Sequence, residues 1–144
     1  MKSVFVDTNI LVYAAEEKTP PTRKNTIARE LLLLPGLQLS VQVLNEFVAA
    51  ARHPDKLNLS KERERRWLEG WLLRPVAALT TETFRLALAA HHRFQISHWD
   101  SLIIASAQET GCEMMYSEDS MCLGLVERSP TPLFTHPNPS FMRS

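Results

Sequence analysis

Four acidic residues, Asp7, Glu46, Asp100 and Asp119, stand where strand-like and helix-like stretches of the chain meet. Asp7 ends the apolar run Val4-Phe5-Val6, which suits a short strand buried on both faces. Asp119 follows a second strand-like run, Glu113-Met114-Met115-Tyr116-Ser117. Glu46 and Asp100 lie near the starts of helical stretches, inside apolar surroundings (Val43-Leu44-Asn45-Glu46-Phe47 and Asp100-Ser101-Leu102-Ile103). In a parallel sheet, strand ends and the following helix starts share one edge, and ligands bind at that edge. Carboxylates gathered there need a cation or a shared proton. Two unit charges at about 4 Å repel by roughly 4 kcal/mol at an effective dielectric of about 20. Oxygen donors without a thiolate or a histidine cluster select Mg²⁺, with Mn²⁺ as a substitute. Mg²⁺ held by a few carboxylates usually contacts a substrate phosphate, so phosphodiester hydrolysis is the natural chemistry.

Each acid also has a plainer role when read alone. Asp7 precedes Thr8 and Asn9 and suits a helix cap. Ser97-x-x-Asp100 fits a capping box, Asp119 a turn, and Glu46 a surface position. The chemical reading rests on their combination.

Strand and helix signals alternate along the chain. After the first strand, Ile10-Leu11 and Tyr13-Ala14 read as the apolar side of a helix ending near Glu17. A helix over Asn25 to Leu34 stops at Pro35-Gly36, with Ile27, Leu31 and Leu34 on one face. Leu37 to Ser40 alternates as a strand, and Val41 to Arg52 follows as a helix closed by Pro54. Ser60 caps a helix over Lys61 to Leu73, with Trp67, Leu68, Trp71 and Leu72 as its apolar side. A short strand is expected over Pro75 to Leu79, then a helix to about Arg93 with Phe84, Ala87, Leu88 and His91 on one side. The helix opened by Ser97-His98-Trp99-Asp100 is apolar nearly all round and should be central. A last strand is read at Leu133-Phe134-Thr135, and His136 to Ser144 as a loose tail. The pattern predicts an α/β protein: a three-layer α/β/α sandwich around a mostly parallel sheet of four to five strands. A single domain over residues 1–135 with a tail over 136–144 is expected.

The totals agree. With 44% hydrophobic and 22% charged residues, the chain is of ordinary globular composition. No apolar run reaches the roughly 20 residues of a membrane span. Val4 follows Met1-Lys2-Ser3 directly, so no signal peptide is expected and the cytoplasm is the default location. Cys112 and Cys122 have no zinc-site spacing and read as free thiols, one near a strand and one in a loop. The 16 basic and 16 acidic residues cancel, which argues against a broad basic face for duplex DNA. A local cleft for single-stranded nucleic acid remains open to it.

Val6-Asp7-Thr8-Asn9-Ile10-Leu11-Val12-Tyr13, Ser40 to Phe47, Ile96 to Ala105 and Tyr116-Ser117-Glu118-Asp119 together resemble the motifs of PIN domains. They are especially similar to the ribonuclease toxins of bacterial toxin–antitoxin operons (the VapC type). The resemblance runs in order from Val4 to about Leu133. It departs at Ser120-Met121-Cys122-Leu123-Gly124, where the family often carries a Met/Leu-Gln-x-Gly pattern. It implies that Asp7, Glu46, Asp100 and Asp119 are metal-binding, catalytic acids in a Mg²⁺-dependent endoribonuclease. Thr8, Asn9 and Ser117 become candidates for orienting a carboxylate, water or phosphate. An RNA substrate, a cognate antitoxin and a homodimer are the implied partners. The alternative is a catalytically silent PIN-fold RNA-binding module. A phosphate-accepting signalling domain would need paired acids after the first strand, and a haloacid-dehalogenase-type phosphatase an aspartate where Asn9 stands.

Overall fold

A computed structural model describes residues 3–117. Strand β1 (Val4–Val6) is flanked by β2 (Leu37–Ser40) on one side and β4 (Met114–Tyr116) on the other. The two-residue strand β3 (Val76–Ala77) completes the order β3-β2-β1-β4, and every pairing is parallel. Successive strand side chains point to opposite faces. Val4, Phe5 and Val6 are all buried, so helices cover both faces of the sheet at its centre. The α/β/α sandwich expected from the sequence is therefore present. Residues 118–144 lie outside the described residues, and with them Asp119, Cys122, the expected strand at Leu133 to Thr135 and the tail.

Among the described residues six helices connect these strands: α1 (Thr8–Ala15), α2 (Arg23–Leu31), α3 (Val41–Arg52), α4 (Lys61–Trp71), α5 (Thr81–Phe94) and α6 (His98–Glu109). Each opens on a side-chain cap of the kind that satisfies free N–H groups in a first turn. Asp7, Thr22, Ser40, Ser60, Thr80 and Ser97 fill those positions. The chain leaves β1 toward β2 and later crosses back, through α5 and α6, to place β4 on β1's other side. The strand order thus reverses at β1, and Asp7 stands at that switch point. The Asp7 N–H donates to Tyr116 O at 2.9 Å, which extends the β1–β4 ladder to the acid itself.

The core centres on Phe5, Val6, Ile10, Leu11, Leu37, Leu39, Val43, Phe47 and Ile103. Trp71 packs edge-on against Phe47 at 4.6 Å and stacks on Trp67 at 5.4 Å, so both tryptophans of α4 face inward. Arg52 holds the buried Glu64 with two hydrogen bonds, at 2.8 and 3.3 Å, and ties α3 to α4. Residues 101 to 107 of α6 are all buried, as its uniformly apolar sequence predicts.

The structure corrects several local expectations. Helix α2 begins at Arg23 and ends at Leu31, short of Leu34, and β3 has two residues rather than five. Leu72 lies beyond the end of α4 and is 59% exposed. Phe84, Leu88 and His91 do not face the core. Helix α5 instead buries Thr83, Ala87 and Ala90, whose small side chains let it lie close to α6. The Thr83 hydroxyl is satisfied by Glu109, so its burial leaves no orphan.

Asn25 has a role that periodicity did not show. Its buried side-chain amide donates to Tyr13 O at 2.7 Å, Glu16 O at 3.2 Å and Ala14 O at 3.3 Å. With Arg29, whose Nε donates to Ala14 O at 2.9 Å, it ties α2 to the carbonyls at the end of α1, the helix that starts at Asp7. Asn25→Ala would remove the amide's bonds to the end of α1 and should destabilise the protein by about 1 kcal/mol. Urea denaturation with an unchanged slope is the measurement. A loss below a few tenths of a kcal/mol would show that water replaces the amide.

Candidate active site

The carboxyl edge of the sheet opens into a cleft of about 300 Å³. Asp7, Thr8, Asn9, Glu46 and Asp100 line it, together with Val12, Tyr13, Ala50 and Lys56. Three acids from three separate elements therefore meet in one place. Asp7 comes from the end of β1, Glu46 from α3 and Asp100 from the first turn of α6.

Local sequence explains each position. Asp7 is buried, and its Oδ1 accepts from the Thr8 N–H at 2.6 Å, so the cap and the cleft acid are the same side chain. Ser97 Oγ accepts from the Asp100 N–H at 3.0 Å, which supplies the Ser97 half of the expected capping box. Asp7 and Asp100 both sit at helix N-termini, where the helix dipole favours negative charge. Glu46 does not. It is the sixth residue of α3, past the first turn, and Gln42 one turn earlier donates to it at 3.1 Å.

That difference shows in its protonation. Burial raises the Glu46 carboxyl above its ordinary value of 4.5, and the negative charges of Asp7 and Asp100 raise it further, against the lowering effect of the Gln42 hydrogen bond. The Thr8 hydroxyl lies close enough to ease the Glu46 carboxylate slightly. It is nonetheless buried with no partner in hydrogen-bond geometry among the described residues. A raised folded-state pKa means that the folded protein holds its proton more tightly than the unfolded chain does. The associated stability is present below about pH 4.5 and is lost as pH rises through the folded-state value. Metal-free protein should thus lose stability as Glu46 ionises, and Glu46→Gln should flatten that part of the pH profile. Thermal unfolding in EDTA across the acidic range measures it. An unchanged profile in the variant would remove Glu46 from the repelling group.

Ser117 is fully buried just after β4, and its hydroxyl has no hydrogen-bond partner among the described residues. It is not among the residues lining the cleft. Asp119 lies outside the described residues. Among those described, no three His, Cys, Asp or Glu side chains form a closed metal-ligand group. The three cleft acids are an open, partial set. Such a set suits Mg²⁺, which keeps several waters and needs few carboxylates. The orphan hydroxyl of Thr8 beside Glu46 is one further polar atom that a bound cation's water can engage.

Sequence reasoning missed Gln42 and Lys56. Gln42 could have been found from its spacing, since residues four apart share a helix face. Lys56 lies in a loop with no periodic signal.

The sequence matches the PIN-domain family from residue 4 to residue 123. The chain belongs to the PIN-domain family. Solved structures of similar fold bear this out. The PIN domain here resembles VapC20 of Mycobacterium tuberculosis, a toxin described as cleaving the sarcin–ricin loop. Identity is 18% and the TM-score 0.65, over 82% of this chain and 91% of that one. A toxin–antitoxin complex from Klebsiella pneumoniae gives 19% identity and a TM-score of 0.62, over 82% and 88%. VapBC2 of Rickettsia felis, solved on a DNA fragment from its promoter, gives 19% and 0.53, over 76% and 83%. No curated protein sequence matches the chain.

Proposed function

We propose that this PIN domain is a Mg²⁺-dependent endoribonuclease that acts as the toxin of a toxin–antitoxin pair. The observation that carries the reading is the convergence of Asp7, Glu46 and Asp100 on one cleft at the sheet's switch point. Asp119, three residues after β4 in the sequence, is proposed as the fourth acid. When bound, Mg²⁺ or Mn²⁺ supplies charge neutralisation for an in-line displacement at phosphorus. The chain's own residues do the rest. Asp7 and Asp100 present carboxylate oxygens from two rigid helix starts, and Glu46, whose proton affinity is raised by burial, completes the set. Thr8 and Asn9 line the same wall and are placed to orient a water or a phosphate oxygen. Ser117, packed behind the sheet edge, is proposed to position the strand end rather than to touch RNA.

Cognate antitoxin binding and action in the cytoplasm belong to the same proposal. The structural neighbours that are toxin–antitoxin complexes support the first. No helix among the described residues is long and apolar enough to cross a membrane. A homodimer is also proposed. Phe84, Leu88 and Trp99 are each more than two-fifths exposed, and His98 links two of their rings, giving an apolar patch that a second copy would cover.

Expression without an antitoxin should arrest bacterial growth and leave discrete RNA fragments, and the Asp7→Asn chain should do neither. Equal toxicity of the two chains would contradict the nuclease reading. Binding of RNA without any cleavage, in the presence of Mg²⁺, would favour the catalytically silent RNA-binding alternative.

A further inference from the structure

We propose that Lys56 binds a backbone phosphate flanking the scissile one and so fixes how a single-stranded RNA lies across the acidic cleft. The inference rests on the nuclease reading for its substrate, and on separate observations for the residue. Among the described residues that line the cleft, Lys56 is the only cation, facing a set that contains three acids. Despite that company, its ammonium forms no ion pair or hydrogen bond among the described residues. An exposed lysine that shares a cleft with three acids and pairs with none of them is available to an anionic ligand.

Its loop is built rather than loose. Lys56 N donates to His53 O at 3.0 Å, Leu57 N to Ala50 O at 3.2 Å and Leu59 N to Ala51 O at 2.8 Å. Asn58 takes a left-handed conformation (φ 46°), and its N–H also returns to His53 O. The backbone around Lys56 is thereby tied to the last turns of α3, the helix that carries Glu46. The side chain is the movable part, a compact charge on a flexible stem that suits phosphate. Beyond Lys56 lies a second cleft of about 430 Å³, which shares Val12 and Lys56 with the first and is lined by Glu16, Glu17, Lys18, Asp55 and Leu57. Lys56 stands at the border between the two clefts.

The test uses a fluorescein-labelled single-stranded RNA with the wild-type, Lys56→Ala and Lys56→Arg proteins in Mg²⁺, over a series of monovalent salt concentrations. Lys56→Ala should raise KM about tenfold, the scale of one charged hydrogen bond, with kcat close to wild type. Its log–log salt dependence of binding should be shallower by about 0.7, the release expected for one single-strand phosphate contact. Lys56→Arg should restore the slope. A purely structural role would lower melting temperature and leave the slope unchanged. Wild-type slope and KM in Lys56→Ala overturn the proposal. If the wild type binds RNA without cutting it, the nuclease reading fails, and the slope measured by fluorescence anisotropy still decides the role of Lys56. If it does not bind RNA at all, both fall.

Discussion

Asp7→Asn and Asp100→Asn should each slow RNA cleavage by at least about 10²-fold, the scale of removing one strong transition-state electrostatic contact. Both variants should stay folded. Asparagine is nearly isosteric with aspartate and is an equally good helix cap, so the bond from the Thr8 N–H to the residue 7 side chain survives the change. What it loses is the charge that a hard cation requires. Single-turnover cleavage under saturating Mg²⁺, with circular dichroism as a fold control, separates these effects. Near-normal turnover in either variant would make that acid a cap and nothing more. Glu46→Gln should do nearly as much damage, since Gln42 can still hydrogen-bond the amide. A milder defect is expected for Asp119→Asn.

The second large effect concerns stability rather than rate. If the proposed site holds Mg²⁺, the ion should relieve repulsion among the three carboxylates that face one cleft. Linkage should then stabilise the wild type by about 2.7 kcal/mol at a metal concentration one hundred times Kd. Asp100→Asn removes one of the charges that press on Glu46. In EDTA the variant should be at least as stable as wild type. It should gain less from Mg²⁺, and added monovalent salt should narrow the metal-free difference between the two proteins. Thermal unfolding across a Mg²⁺ titration reads all three. A strongly destabilised Asp100→Asn that responds to Mg²⁺ like wild type would make Asp100 a structural residue of the α6 start.

Much of this was legible in the sequence because local chemistry and tertiary placement agree. Ser60 caps α4, as its side chain predicts, and Val4-Phe5-Val6 forms the buried central strand. Asp7, Glu46 and Asp100, expected at the carboxyl edge with Asp119, line one cleft there, and Asp119 lies outside the described residues. Helix α5 shows where such reasoning fails. Phe84 and Leu88 share a face, but so do Thr83, Ala87 and Ala90, and periodicity cannot choose between two stripes. Close approach to α6 chose the smaller residues, and Glu109 made the buried Thr83 hydroxyl tolerable. Asn25 and Lys56 were invisible for a related reason. Their roles depend on the end of α1 and on a loop folded back on α3, partners that no local pattern announces.

Purified protein, free of antitoxin, incubated with total bacterial RNA in Mg²⁺ and in EDTA, tests the central claim most directly. Mapped ends should show discrete cuts that leave 3′-hydroxyls, appear only with the divalent ion, and vanish in Asp7→Asn. Cleavage that persists equally in EDTA would contradict the metal-dependent acidic site.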